Sequence, residues 1–150
     1  MAKRRKLEVS LLKLTTEQFF YSEHLPSAFK KSEIEMNNSV QLGIEPSQLM
    51  LACLFRFEVT KDDKELLVIE AGAHFKAEKK DFDKLYNKKE KTFIIPLETT
   101  KIMLVVAIGA ARGMLHAKTE GTEISGLIIP LIDPDSVIQT DVVIPLTENE

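Results

Sequence analysis

Cysteine occurs once in this chain, as Cys53. A single thiol excludes an intrachain disulfide framework and a multi-cysteine zinc site. His24, His74 and His116 are scattered, with no pair at metal-ligand spacing. Glycine is scarce, and the segment from Gly121 to Gly126 lacks the Lys-Ser/Thr pair that a phosphate loop needs. Charge of one sign is missing too: the formal net charge is −3, so no global basic field draws nucleic acid. The one basic cluster, AKRRK at residues 2–6, reads as a solvated tail, and no apolar signal-peptide core follows it. The longest apolar run, Ile102 to Ala111, falls well short of the ~20 residues that a membrane span needs. The expectation is a cytoplasmic protein with no cofactor, no metal, no nucleic-acid partner and no membrane insertion.

Catalytic groupings are equally sparse. Asp81 with Asp83, and Asp133 with Asp135, fall in loops rich in charge or proline. His74 and Glu70 share a polar strand face, and His116 near a helix C-terminus answers the helix dipole. Cys53 falls on the apolar side of its strand, as a buried inert thiol does. Nothing assembles a nucleophile, a base and an orienting group, so the chain is not expected to be an enzyme.

What is present is patterning. The composition, 44% apolar and 29% charged, suits one globular domain over residues 1–150. Odd residues from Leu49 to Val59 are apolar, and the even ones end in Arg56, Glu58 and Thr60. Residues 65–77 alternate again, with Leu67, Ile69, Ala71, Ala73 and Phe75 on one side. Period two marks half-buried strands, and KDDK at 61–64 joins them as a hairpin. Residues 32–44 alternate on even positions. The run from Leu7 to Leu14 switches from odd to even between Leu11 and Leu12, as a β-bulge does. These features predict an α+β fold: a four-stranded antiparallel meander, then one long helix capped by Thr99 or Thr100 and ending near Gly121.

The long helix poses the main question. Ten consecutive residues, Ile102 to Ala111, carry no polar side chain, whereas a surface helix has one apolar stripe and one polar face. One sheet face covers one stripe, and the rest needs another cover. A second copy of the chain is the expected one, with Gly109 and Gly113 allowing close backbone approach. IIPL occurs at 94–97 and 128–131, and VIPL at 143–146. These read as short extended pieces, because proline pushes its predecessor toward extended geometry. Residues 139–150 read as a flexible or strand-forming tail, long enough at Val142 to Leu146 to cover a groove.

This order of parts resembles the bacterial export chaperone SecB and its SecB-like relatives. The resemblance rests on LVIEAGAHF (67–75), AARGMLHAKTEG (110–121), LIIPLIDPDSV (127–137) and HLPSAF (24–29), and spans roughly residues 7–138 in layout. It implies an ATP-independent holdase that binds unfolded polypeptides in apolar grooves between helix and sheet. It also implies a homotetramer, a dimer of dimers, with the long helices packed between sheets. The client-binding candidates are then Phe19, Phe20, Tyr21, Phe75, Met103, Met114 and Leu115, since methionine and aromatics suit a promiscuous surface. The oligomer-interface candidates are Ile102, Val105, Val106, Gly109 and Gly113. The family docks its SecA motor on an acidic sheet face, for which Glu17, Glu33, Glu35 and Glu70 are the candidates. Aligning the fourth strand on Phe75 puts Val68 where one of those acids is expected. The alternative reading is a dedicated interaction subunit or antitoxin-type chaperone holding one partner.

Overall fold

Alternation at residues 49–77 builds the centre of the molecule. The computed structural model describes residues 7–146. In it, β3 (Met50–Lys61) and β4 (Lys64–Lys76) form an antiparallel hairpin. Their tight turn holds Asp62 and Asp63 at φ of 51° and 64°. Aspartate is among the few residues that tolerate this left-handed backbone, and a turn of that hand matches the twist of the strands. Phe55, Phe57 and Val59 pair with Ala71, Ile69 and Leu67, so all six point to one side, and all are buried.

β2 (Glu35–Glu45) pairs with β3 across one 3-10 turn at Pro46–Gln48. β1 (Ser10–Tyr21) pairs with β4 instead, and the sheet order is β1-β4-β3-β2. The expected meander is therefore corrected to a Greek-key order. The link from β1 to β2, residues 22–34, contains the short helix α1 (Leu25–Lys30). It carries the chain across about 14 Å, three inter-strand spacings. Alternation tells which face a side chain covers; it does not tell which strand lies beside it. The β1 register shifts between Leu11 and Lys13, where the apolar pattern slips, and again between Thr16 and Gln18.

After β4 come α2 (Lys79–Asp83), β5 (Tyr86–Asn87) and β6 (Thr92–Ile95). The long helix α3 spans Leu97–Thr119. The tail then forms α4 (Pro134–Val137) and β7 (Val142–Pro145), which joins a second sheet in the order β5-β6-β7. Two of the three proline-containing repeats thus fall in strands, β6 and β7, paired with each other; the third, at 128–131, belongs to neither sheet.

Helix α3 starts behind Pro96, which ends β6 and has no N–H to satisfy at a helix start. Thr99 and Thr100, the expected caps, lie inside the helix and are buried. Thr100 Oγ1 donates to the Pro96 carbonyl at 3.1 Å. Thr99 Oγ1 accepts from the Leu7 N–H at 3.3 Å and donates to the Leu7 carbonyl at 3.4 Å. Beyond the helix, Gly121 takes a φ of +79° that a side chain would resist. α3 packs on β3 and β4. Its 23 residues are long and apolar enough to cross a bilayer by length and composition, yet Met103, Leu104, Ala107, Ile108, Ala111 and Leu115 are spent on the sheet. Cys53 sits in this core, where burial pushes its thiol up to about 12 and keeps it protonated and inert.

Candidate functional site

The placement of α3 leaves the β1 strip of the sheet uncovered. The helix lies over β3 and β4, whereas β1 is an edge strand beyond β4. Leu11, Leu14, Phe19 and Tyr21 pair with Phe75, Ala73, Ile69 and Leu67, so they share the helix-side face of the sheet. The β4 members of these pairs are buried; Leu11 and Leu14 are 51% and 47% exposed. The outcome is an apolar floor with α3 as its wall.

Wall and floor run in the same direction. Leu7 meets Thr99, Thr16 Oγ1 lies 3.3 Å from Met114 Sδ, and Lys118 Nζ sits 5.0 Å over the Phe19 ring. Phe19 and Tyr21 stack at a tilt, with centroids 6.0 Å apart. From Thr99 to Lys118 the helix rises roughly 28 Å at 1.5 Å per residue. An extended segment of about eight residues matches that length at 3.3 Å per residue. Lys118 holds its cation against an aromatic face at the far end of β1, a contact of about 0.5–1 kcal/mol at an exposed site.

The outward side of α3 continues this surface. Ile102 and Val105 are 44% and 55% exposed, Val106 is half-buried, and Gly109 and Gly113 are exposed. These positions recur every three or four residues and so form one stripe. A Cβ added at Gly109 or Gly113 would meet nothing within 4 Å. The opposite flank is tied down: Arg112 donates to the carbonyls of Ile129 (3.0 Å) and Pro130 (2.5 Å), and Lys101 pairs with Asp135 at 2.7 Å. The tie confines the open side of the helix to the stripe and the β1 flank.

The client-binding candidates divide on burial. Phe19, Tyr21 and Met114 border the groove, and Phe20 is exposed on the other sheet face, opposite Val68. Phe75, Met103 and Leu115 are corrected to core residues: each lies between α3 and the sheet with no more than 2% of its surface reached by solvent. Helix periodicity puts Met103 and Leu115 on the inward face, and the pairing of Phe75 with both Leu51 and Leu11 buries its ring. Leu11 and Leu14 were missed as floor residues. Their signal was the bulge itself, because the register slip keeps both on the helix side of an edge strand.

Around Arg56 the outer sheet face is polar and locally neutralised. Arg56 donates to Glu58 at 2.5 Å and to Gln18 at 2.8 Å, and lies 3.4 Å from Glu65 and 3.9 Å from Glu70. These carboxylates hold the guanidinium above its ordinary range, with the Glu58 hydrogen bond the largest cause. Of the acidic candidates, Glu70 belongs to this cluster, Glu33 pairs with Lys61 at 2.6 Å, and Glu17 accepts from Thr15 Oγ1 at 2.6 Å. Glu35 is exposed at the head of β2. His74 turns toward Thr15 Oγ1, 3.0 Å away, and Glu17, 3.8 Å away. Among the described residues, no group of three or more His, Cys, Asp or Glu side chains is arranged to hold a metal ion. The basic stretch 1–6 lies outside the described residues, as do residues 147–150 of the tail.

No family model and no curated protein matches this chain. Among solved structures, it is similar to the SecB-like chaperone of Mycobacterium tuberculosis, determined in complex with a ChAD peptide from the HigA1 antitoxin. The TM-score is 0.50 at 6% sequence identity, over 83% of this chain and 91% of that one. The fold is SecB-like: α+β, with a four-stranded antiparallel sheet and a long helix packed on it.

Proposed function

We propose that this chain is a chaperone-like polypeptide-binding protein, a cytoplasmic holdase that works without ATP. It holds unfolded or partly folded clients in the groove between β1 and α3, on Phe19, Tyr21, Met114, Leu11 and Leu14. The carrying observation is this uncovered apolar floor beside a helix wall, on a SecB-like fold. The outward stripe of Ile102, Val105, Val106, Gly109 and Gly113 packs against further copies, giving a homotetramer built as a dimer of dimers. Apolar area on both sides of one helix wall accounts for two occupants: copies on the stripe, clients in the groove. No enzymatic step is assigned.

A second reading is a dedicated chaperone that holds one specific partner. It is favoured by one observation: the similar SecB-like structure was determined with an antitoxin peptide. SecA docking on Glu17, Glu33, Glu35 and Glu70 remains a partner candidate, but Arg56 and Lys61 offset two of these acids.

Light scattering on a size-exclusion column, with and without a permanently unfolded polypeptide, tests the proposal. A complex of four 17.0 kDa chains that gains mass with the polypeptide supports the holdase. An oligomer that ignores it favours the dedicated partner, and a monomer that ignores it overturns both readings.

A further inference from the structure

The small sheet β5-β6-β7 meets the main sheet on its β2 side, across from the groove. β7 runs beside β6 and near β2, the edge strand opposite β1. Val142 pairs with Ile95 and Ile144 with Phe93, and both β7 side chains pack against the core. Leu146 reaches a cleft of about 960 Å³ whose lining includes Ile44, Leu49, Phe82, Tyr86 and Phe93. Val143 and Pro145 point the other way and are exposed. The Leu146 N–H donates to the Lys91 carbonyl at 2.9 Å. That bond makes Thr92 and Pro145 a non-hydrogen-bonded pair, so the missing proline N–H removes nothing from the ladder. The Leu97 N–H donates to Asp141 Oδ1 at 2.8 Å and fixes where the strand enters.

We propose that the β6 edge is a strand-addition site for extended segments of the pattern apolar-x-apolar-Pro-Leu, and that Val142–Leu146 is its resident occupant. Main-chain pairing supplies the general attraction, and the inward side chains with the Leu146 cleft supply selectivity. The resident is short: four residues at a sheet edge, half of them facing solvent. Such elements open at low cost compared with core strands. The site is separate from the groove between β1 and α3, and it stands whether or not that groove takes a client.

The probe is a fluorescent peptide of residues 139–150, titrated by anisotropy. The resident strand competes from a tethered, roughly millimolar effective concentration, so releasing it should tighten peptide binding at least tenfold. Full-length chain carrying Ile144→Asp and Leu146→Asp releases the strand; chain ending at Gln139 is the second variant. Both are expected to bind the peptide more tightly than the unmodified chain, and neither is expected to bind a peptide carrying Ile144→Asp. The proposal is overturned if both variants bind no better than the unmodified chain, or if the altered peptide binds equally well. It is also overturned if Phe19→Asp in the β1 groove abolishes peptide binding, a result that would move the peptide to the groove and leave the holdase reading standing. A dimer of the unmodified chain lost with Leu146→Asp, without any peptide binding, assigns the edge to strand exchange and overturns the proposal as well.

Discussion

The two sides of α3 have nearly the same chemistry and opposite situations. Met103, Leu104, Ala107, Ile108, Ala111 and Leu115 face the sheet and are buried, while Ile102, Val105, Gly109 and Gly113 on the same helix are open to solvent. A polar outer face would have marked the helix as the lid of a monomer. An apolar outer face, beside an apolar strip of β1, is the surface that the proposed self-association and client binding would complete. The difference is one of position alone: β3 and β4 lie under one side, while Ile102, Val105, Gly109 and Gly113 stay exposed on the other.

Truncation separates the sides most strongly. Leu104→Ala leaves a cavity in the buried core that α3 shares with the sheet, and should cost about 2–5 kcal/mol of stability. Val105→Ala, one residue later on an exposed position, should change the stability of the isolated chain by no more than ~0.5 kcal/mol. Urea melts of both variants at low protein concentration check this, and equal losses would mean that the outer side is also covered within one chain.

A charge on the outer side tests its cover directly. Val105→Asp should leave the circular dichroism of the chain unchanged and shift its scattering mass from oligomer to monomer, because an unpaired carboxylate in an apolar interface is costly to desolvate. Retention of the full mass would remove the stripe from the oligomer interface.

Much of this contrast is readable from the residues, and some is not. The hairpin, the bulge at Leu12 and the all-apolar helix follow from period two, a one-residue slip and an absence of polar side chains. The position of β1 does not, since pairing with β4 instead of β2 changes no side chain's face. Phe75, Met103 and Leu115 look like groove residues in the sequence because an all-apolar helix does not show which of its faces meets the sheet, nor which strands it covers. Leu11 and Leu14 gain their significance only once β1 is known to be an edge. The pairing of FIIP with VIPL is a long-range event joining residues about fifty apart in sequence, and local propensity carries no sign of it.

Glycine separates the regions by sign. Gly109→Ala adds a methyl group into open space and should raise the stability of the isolated chain by about 0.5–1 kcal/mol, the helix-propensity gain. The same methyl should weaken self-association if another backbone approaches there. Gly72→Ala on β4 does the reverse, because its Cβ would collide with the Thr15 hydroxyl and the Leu54 side chain. Thermal melts paired with sedimentation at several concentrations distinguish the outcomes; a Gly109→Ala chain that both melts higher and associates as tightly as the unmodified chain would show that no backbone packs on the stripe.

The smallest effect concerns the pair of Glu33 and Lys61, at the end of the sheet where the turn between β3 and β4 lies. The Lys61 hydrogen bond is the main cause that lowers the Glu33 carboxyl below its ordinary value, and Glu33 in turn raises Lys61. Between the lowered value and the ordinary 4.5, the unfolded chain binds more proton at Glu33 than the folded chain does, so stability rises with pH there. The pair's contribution is therefore present above 4.5, is lost as pH falls through the lowered value, and is lost again from the lysine side as pH rises above its own raised value beyond 10.5. Both groups are well solvated, so salt screens the pair and the change in melting temperature should be slight. Lys61→Met should flatten the acid side of the stability profile slightly at low ionic strength and not at high ionic strength, while leaving peptide binding and assembly mass unchanged. A variant that instead lost mass or client binding would tie the polar end of the sheet to the apolar surfaces and remove the separation between them.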